Sequence, residues 1–224
     1  MEEPGWAARV GLAEGRPGSE EEGDAGASPT TSDAVCMEAG TLKGADVLAV
    51  TGGKPLSRIV FTAEEIAERV RAMGRAITQA YPPSEKLLLL GLLKGSFVFL
   101  GDLVRCIGRP HQVDFLVASS YGSGTTSSGD VQLLYDPAAP LDGRHVVLVE
   151  DIVDSGNTLN RLIGALRERR PLSLEVCALL HKHLAQDLLL EPRWLGFDAP
   201  SEFLIGYGLD YGEEYRHLPF IASL

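Results

Sequence analysis

The run VVLVEDIVD, residues 146–154, most narrows the folds open to this chain. Its first four residues are apolar without alternation, which suits a strand covered on both faces, and strands of that kind belong to parallel sheets with helices on either side. The surrounding sequence follows the same plan. KLLLLGLL is an apolar strand that leads through a Lys94-Gly95-Ser96 turn into a helix with Phe97, Leu100, Leu103, Val104 and Ile107 at helical spacing. HQVDFLVASSYG supplies another strand, and TLNRLIGALRERR a helix with Leu159, Leu162, Ile163 and Leu166 on one face. LEVCALLHK is the next strand and FLIGYGLDYG the last extended element. Strands alternating with helices predict an α/β fold: an open, mostly parallel twisted sheet flanked by helices, with ligands at the carboxyl ends of its strands.

The folded part is expected to begin near residue 57. Thr62 and Glu65 have the spacing of a capping box, and Ile66, Val70, Met73 and Ile77 continue as a helix of about four turns. Before it, residues 1–50 hold ten Asp/Glu against three Lys/Arg and show no apolar period. Such a segment cannot bury enough surface to offset its ordering entropy, so a disordered acidic extension is predicted, with a docking or regulatory arm as the functional alternative.

Charge and cysteine content exclude several classes. The net charge is −11, and a nucleic-acid-coating surface would need clustered Lys/Arg instead. Cys36, Cys106 and Cys177 are far apart and show no metal-ligand or disulfide-framework spacing, which points to a reducing, cytoplasmic setting. No apolar stretch is long enough for a membrane span, and MEEPGWAARV lacks the basic-then-apolar order of a secretory signal. The terminal ASL resembles a peroxisomal address except that Ser223 stands where a base is wanted.

At the end of the strand 146–153, Asp154-Ser155-Gly156-Asn157-Thr158 turns the chain into a helix expected to begin near Leu159. The first amides of a helix lack internal partners and carry partial positive charge, so the turn suits a phosphate, with Gly156 allowing close approach and Ser155 and Thr158 offering hydroxyls. The plainer alternative is that Ser155 or Thr158 caps the helix while Asp154 complements its dipole. Glu150 and Asp151 favour the first reading, because two adjacent carboxylates ending a buried strand are costly unless they meet sugar hydroxyls or a divalent cation.

Two adjacent acids, an apolar pair, Asp, a hydroxyl residue, Gly and a closing Thr resemble the phosphoribosyl-diphosphate signature of the type I phosphoribosyltransferases. LLKGSFVF looks like that family's diphosphate loop, SSYGSGTTSSGD like its mobile closing loop, and LLHK with FLIGYGLDYGEEYR like a purine pocket and its lid. Together they are similar to the hypoxanthine/guanine phosphoribosyltransferases over roughly residues 57 to 221. The resemblance implies a type I phosphoribosyltransferase fold over 57–224, with a small hood for the purine and a Leu93–Lys94 peptide that is often cis in relatives. It implies transfer of the 5-phosphoribosyl group from 5-phosphoribosyl 1-diphosphate to hypoxanthine or guanine. The cofactor implied is magnesium, the partners small-molecule substrates, and the assembly a homodimer or homotetramer, with no role for nucleic acid or membrane.

Carried over by position, the resemblance makes Asp154 the general base at N7 of the purine. Amides from Asp154 through Ser155, Gly156 and Asn157 to Thr158 hold the 5′-phosphate, and Glu150 and Asp151 face the ribose and its magnesium. Lys94, Gly95 and Arg216 meet the diphosphate, joined by Ser120 and Tyr121 when the loop closes. Lys182 donates to the 6-oxo group, Phe203 stacks on the ring, and backbone around Leu204 and Asp210 meets its far edge; Asp210 also matches a second metal ligand. Judged by residue type alone, Lys94 could be a solvated turn lysine, Phe203 a core side chain, and the glycine-rich loop plain disorder. His181 and His183 flank Lys182 and could alter its charge, and Ser155 stands where Thr is more usual. Competing functions are a phosphoribosyltransferase for xanthine, orotate or uracil, and a regulator that binds phosphoribosyl diphosphate without turnover.

Overall fold

The computed structural model describes Thr51 and residues 56–120, 131–184 and 187–224, without the side chains of 119–120 and 131–134. The acidic extension 1–50, Tyr121 and the rest of the glycine-rich loop to Gly129 lie outside the described residues.

The elements run β1 (Arg58–Phe61), α1 (Ala63–Ala80), β2 (Leu87–Leu93), α2 (Phe97–Cys106), β3 (Gln112–Ser120), β4 (Val131–Tyr135), β5 (His145–Val153), α3 (Asn157–Arg167), β6 (Ser173–His181), β7 (Pro192–Asp198), β8 (Leu204–Ile205) and β9 (Ile221–Ser223). Six strands form one sheet in the order β4-β3-β2-β5-β6-β7, parallel except for the antiparallel edge strand β4. A second sheet of β1, β9 and β8 is antiparallel and forms the hood.

The chain leaves β2 toward β3 on one side and later returns as β5 on the other. The helices after β2 and β5 therefore diverge, and a crevice opens at the carboxyl ends of these two strands. Both strands are apolar because helices cover both faces: Leu88, Leu89, Leu90, Val147, Leu148 and Val149 have no solvent exposure. A fully buried Leu of this kind contributes about 1.5–3 kcal/mol. One core layer joins α1 and α2 to the sheet, and a second packs α3 against the other face.

Helix α1 starts as its sequence predicts. Thr62 N–H donates to Glu65 Oε2 at 2.8 Å, and Glu65 N–H to Thr62 Oγ1 at 3.3 Å. The Thr62 N–H, followed by the Thr62 hydroxyl that donates to Glu65 Oε2 at 2.9 Å, holds the Glu65 carboxyl below its ordinary range. At 18 residues the helix is a turn longer than expected, since nothing between Thr62 and Tyr81 interrupts it.

Four expectations need correction. In α2 the buried residues are Phe99, Leu100 and Leu103, while Phe97 is 48% exposed and Val104 half-buried, so the inward stripe is rotated from the one expected. Helix α3 starts at Asn157, two residues before Leu159. Its N-cap is Gly156 at φ 76, without a side-chain capping bond, so neither Ser155 nor Thr158 caps it. FLIGYGLDYG is extended only at Leu204–Ile205; the remainder is held by turns and isolated bridges that include Gly206↔Leu209.

Candidate active site

Three segments meet at the crevice: the end of β2, the end of β5, and the hood turn 206–216. The Leu93–Lys94 peptide is cis, and the loop it opens presses Gly95 against the carboxylate of Asp151. A Cβ on Gly95 would fall 2.5 Å from Asp151 Cγ, which no side chain could occupy.

At the end of β5, Glu150 Oε2 is buried and has no partner among the described residues. Burial, followed by the neighbouring charge of Asp151, holds the Glu150 carboxyl well above the usual range. Burial also raises Asp151, to about 6, against the opposing pull of its own and Ile152's backbone N–H groups and of Arg216. Buried acids of this kind are poised to accept a cation or hydroxyl hydrogen bonds.

Beyond them the turn into α3 encloses a cavity of about 140 Å³ lined by Glu150, Asp154, Ser155, Gly156 and Thr158 together with apolar neighbours. That is several times the ~30 Å³ of a water molecule, and it opens onto the uncapped start of α3, where free amides and the helix dipole favour an oxyanion. Asn157 opens the helix but does not line the cavity.

Asp154 Oδ2 accepts from Lys182 Nζ at 3.2 Å. Lys182 is anchored to β5 through its own N–H, which donates to Val153 O at 3.0 Å, and its side chain is 10% exposed. The flanking histidines do not touch its ammonium group. His181 is buried with its ring 4.0 Å from that of His183, and His183 Nε2 lies 2.5 Å from Asp198 Oδ1. Burial and then His183 lower the pKa of His181.

Phe203 is not a core side chain. Its ring is half-exposed and meets Tyr211 edge-on, with centroids 5.6 Å apart. Leu204 buries its side chain in the α1–α2 core, and its backbone is paired with Ser223 of β9. Deeper in the hood, Arg216 Nη2 lies 2.8 Å from Asp210 Oδ1 and Arg216 Nη1 donates to Gly208 O at 2.7 Å. Ser120 ends β3 through its pairing with Val131.

Sequence reasoning missed Glu213 and Tyr211. Glu213 joins Lys94 and Arg216, at 3.1 Å from each. Its i,i+3 spacing to Arg216 was visible, but the partnership with Lys94 crosses 119 positions. Tyr211 carried no signal beyond being aromatic.

An open parallel sheet that gathers acids, an uncapped helix start and facing cations at its switch point has the features of a transferase acting on a phosphorylated sugar. The phosphoribosyl transferase domain matches residues 60–212, and the chain belongs to that family. It is 46% identical over 169 residues to the hypoxanthine-guanine phosphoribosyltransferase of Dictyostelium discoideum, covering 74% of this chain and 94% of that one. Identity to the hypoxanthine phosphoribosyltransferase of Escherichia coli K12 is 45% over 161 residues, covering 71% and 90%. Among solved structures, a hypoxanthine phosphoribosyltransferase from Staphylococcus aureus superposes with a TM-score of 0.72 at 37% identity, covering 75% of this chain and 91% of that one. A hypoxanthine-guanine phosphoribosyltransferase from Bacillus anthracis gives 0.71 at 39%, covering 76% and 99%.

Proposed function

We propose that the protein transfers the 5-phosphoribosyl group of 5-phosphoribosyl 1-diphosphate to hypoxanthine and guanine, releasing diphosphate and forming the nucleoside 5′-monophosphate. The observation that carries this reading is the Lys182–Asp154 pair, 3.2 Å apart beside the uncapped start of α3. On a 6-oxopurine the 6-oxo oxygen and N7 are neighbours on one edge, so an ammonium and a carboxylate held side by side suit that edge. Adenine presents an amine to the same ammonium and is rejected. Relatives named as hypoxanthine-guanine and hypoxanthine phosphoribosyltransferases support the same substrates.

In the reaction, N9 of the purine bonds to C1 of the ribose as the C1–oxygen bond to diphosphate breaks. The proton on N7 passes to Asp154. Amides from Asp154 to Thr158, with the Ser155 and Thr158 hydroxyls, hold the 5′-phosphate, and Phe203 covers one face of the purine. Lys94, Gly95 and Arg216 hold the diphosphate, and Ser120 and Tyr121 complete its enclosure.

Glu150, Asp151 and Asp210 offer the hard oxygen donors that magnesium takes, and Glu150 Oε2, buried without a partner among the described residues, fits such a role. No three His, Cys, Asp or Glu side chains among the described residues converge as a metal site, so a magnesium ion held here would need water and substrate oxygens to complete its shell. Bound there, magnesium supplies charge neutralisation for the departing diphosphate.

The catalytic domain is assigned to 57–224, outside the acidic extension of residues 1–50. The family resemblance is what supports a homodimer or homotetramer. Among the described residues no helix is long and apolar enough to cross a membrane; the assignment of the enzyme to the cytoplasm rests on its three widely spaced cysteines.

Purified protein incubated with magnesium, phosphoribosyl diphosphate and each of hypoxanthine, guanine, xanthine and adenine tests the proposal. Nucleotide is expected from the first two and none from adenine. Failure to form nucleotide from either hypoxanthine or guanine overturns it.

A further inference from the structure

Glu213 stands between the two cations assigned above to diphosphate. Its Oε1 is 3.1 Å from Lys94 Nζ and its Oε2 3.1 Å from Arg216 Nη2, so one carboxylate links the loop after β2 to the hood. The backbone holds it in place. Glu213 N–H donates to Asp210 Oδ2 at 2.9 Å, and the residue sits at φ 69 inside a turn closed by the Tyr211↔Glu214 bridge. A non-glycine residue at positive φ is uncommon and is retained where surrounding contacts impose it.

Arg216 is oriented independently of this carboxylate. Gly208 O accepts from its Nη1, the Asp210 carboxylate forms an ion pair with its Nη2 at 2.8 Å, and its buried Nε has no partner among the described residues. The guanidinium thus keeps its direction, and retains a donor, when Glu213 leaves. Glu213 and Lys94 are both largely exposed, at 63% and 66% of their side chains. A wet pair of this kind contributes little to stability and exchanges readily.

We infer that Glu213 is a built-in placeholder for diphosphate: in the empty site its carboxylate holds Lys94 toward the independently oriented Arg216, and the incoming diphosphate displaces it. The inference rests on the reading that Lys94 and Arg216 hold diphosphate. A carboxylate presents two oxygens to two cations, as one edge of a phosphoryl group does, but it carries a single charge. Diphosphate brings more charge and more acceptor oxygens, so the exchange proceeds forward when it binds. On departure the tethered carboxylate is always at hand, because its effective concentration is set by the chain. A site partly occupied by its own side chain binds its ligand with an affinity reduced by the fraction of time it is blocked. Glu213 therefore weakens diphosphate binding and hastens product release.

The test is calorimetric titration of Glu213→Gln and Glu213→Ala with inorganic diphosphate in the presence of magnesium, together with stopped-flow release rates. Both variants should bind roughly two- to tenfold more tightly than the parent, with release slowed in proportion. KM for phosphoribosyl diphosphate should fall with it, while KM for hypoxanthine stays constant. Unchanged or weaker diphosphate binding in both variants overturns the placeholder. Lys94→Gln and Arg216→Gln, titrated alongside, separate the two levels of the argument. If they leave diphosphate binding intact, the underlying assignment of the cations fails. If they weaken binding while neither Glu213 variant tightens it, only the placeholder fails.

Discussion

Gly95 and Asp151, on different strand ends, are packed so closely that a Cβ on the glycine would overlap the carboxylate, 2.5 Å from its Cγ. The loop after β2 and the acid on β5 are thereby fixed in one arrangement. Gly95→Ala must push them apart. Overpacking of this sort costs about 1–3 kcal/mol, and a displacement of an ångström at reacting groups can lower activity on the order of a hundredfold. Thermal unfolding and kcat/KM measured on the same variant check this: a modest fall in Tm with a large fall in turnover is expected. Parental kcat/KM in the variant contradicts the assignment.

Asp154→Asn keeps the shape of the β5 turn and removes both the proton acceptor and the charge that faces Lys182. Steady-state turnover should drop roughly 10²- to 10⁴-fold, the usual contribution of a positioned base. Affinity for phosphoribosyl diphosphate, measured calorimetrically, should stay within a few-fold of the parent. If binding is lost while single-turnover chemistry is kept, Asp154 is a phosphate ligand and not the base.

Burial, the first cause, raises the carboxyl of Asp151 to about 6 from its ordinary 3.8. A raised acid means the folded protein holds its proton at a pH where the unfolded chain has released it. Its contribution to stability is therefore complete below about pH 4 and is lost as pH rises through 6, by about 3 kcal/mol at most. Substrate-free protein should lose stability across that window, and Asp151→Asn should lose less. Urea titrations from pH 4 to 7 on both proteins give the comparison. Parallel pH profiles would show that the carboxyl is not buried in solution.

Phe203 and Tyr211 meet edge to face, with one ring left half-open. Stacking of a base on an aromatic side chain contributes about 1–3 kcal/mol. Phe203→Ala should therefore raise KM for hypoxanthine by roughly tenfold or more and leave KM for phosphoribosyl diphosphate unaltered. A rise in both would indicate that the hood has collapsed.

The Thr62–Glu65 capping box lies far from the chemistry in sequence and joins α1 only to itself. Thr62→Ala should cost about 1 kcal/mol of stability with kcat unaffected, read from denaturant midpoints and the standard assay. A variant that unfolds no more easily than the parent would show that the cap contributes nothing.

What was legible in the chain is what is encoded within a few residues. The apolar run of β5 already required helices on both sides, Thr62 and Glu65 already specified how α1 begins, and the bare turn after Val153 already suited an oxyanion. Each depends on the period of a strand or helix or on the chemistry of a turn, and these act over one to five positions. Elements without such a period were missed. β7 contains Pro192 and Gly196, and β9 is three residues long; they exist because partners across the fold complete their hydrogen bonds, as Arg58 does with Ser223.

Only the tertiary structure decided which face of α2 turns inward, because Phe97 and Phe99 are equally apolar and the choice depends on what the sheet leaves to be filled. It alone placed Gly95 against Asp151, Lys182 against Asp154 and Glu213 between Lys94 and Arg216. Those pairs unite segments that are far apart in the chain, and their distances follow from strand order and packing, which no local pattern encodes.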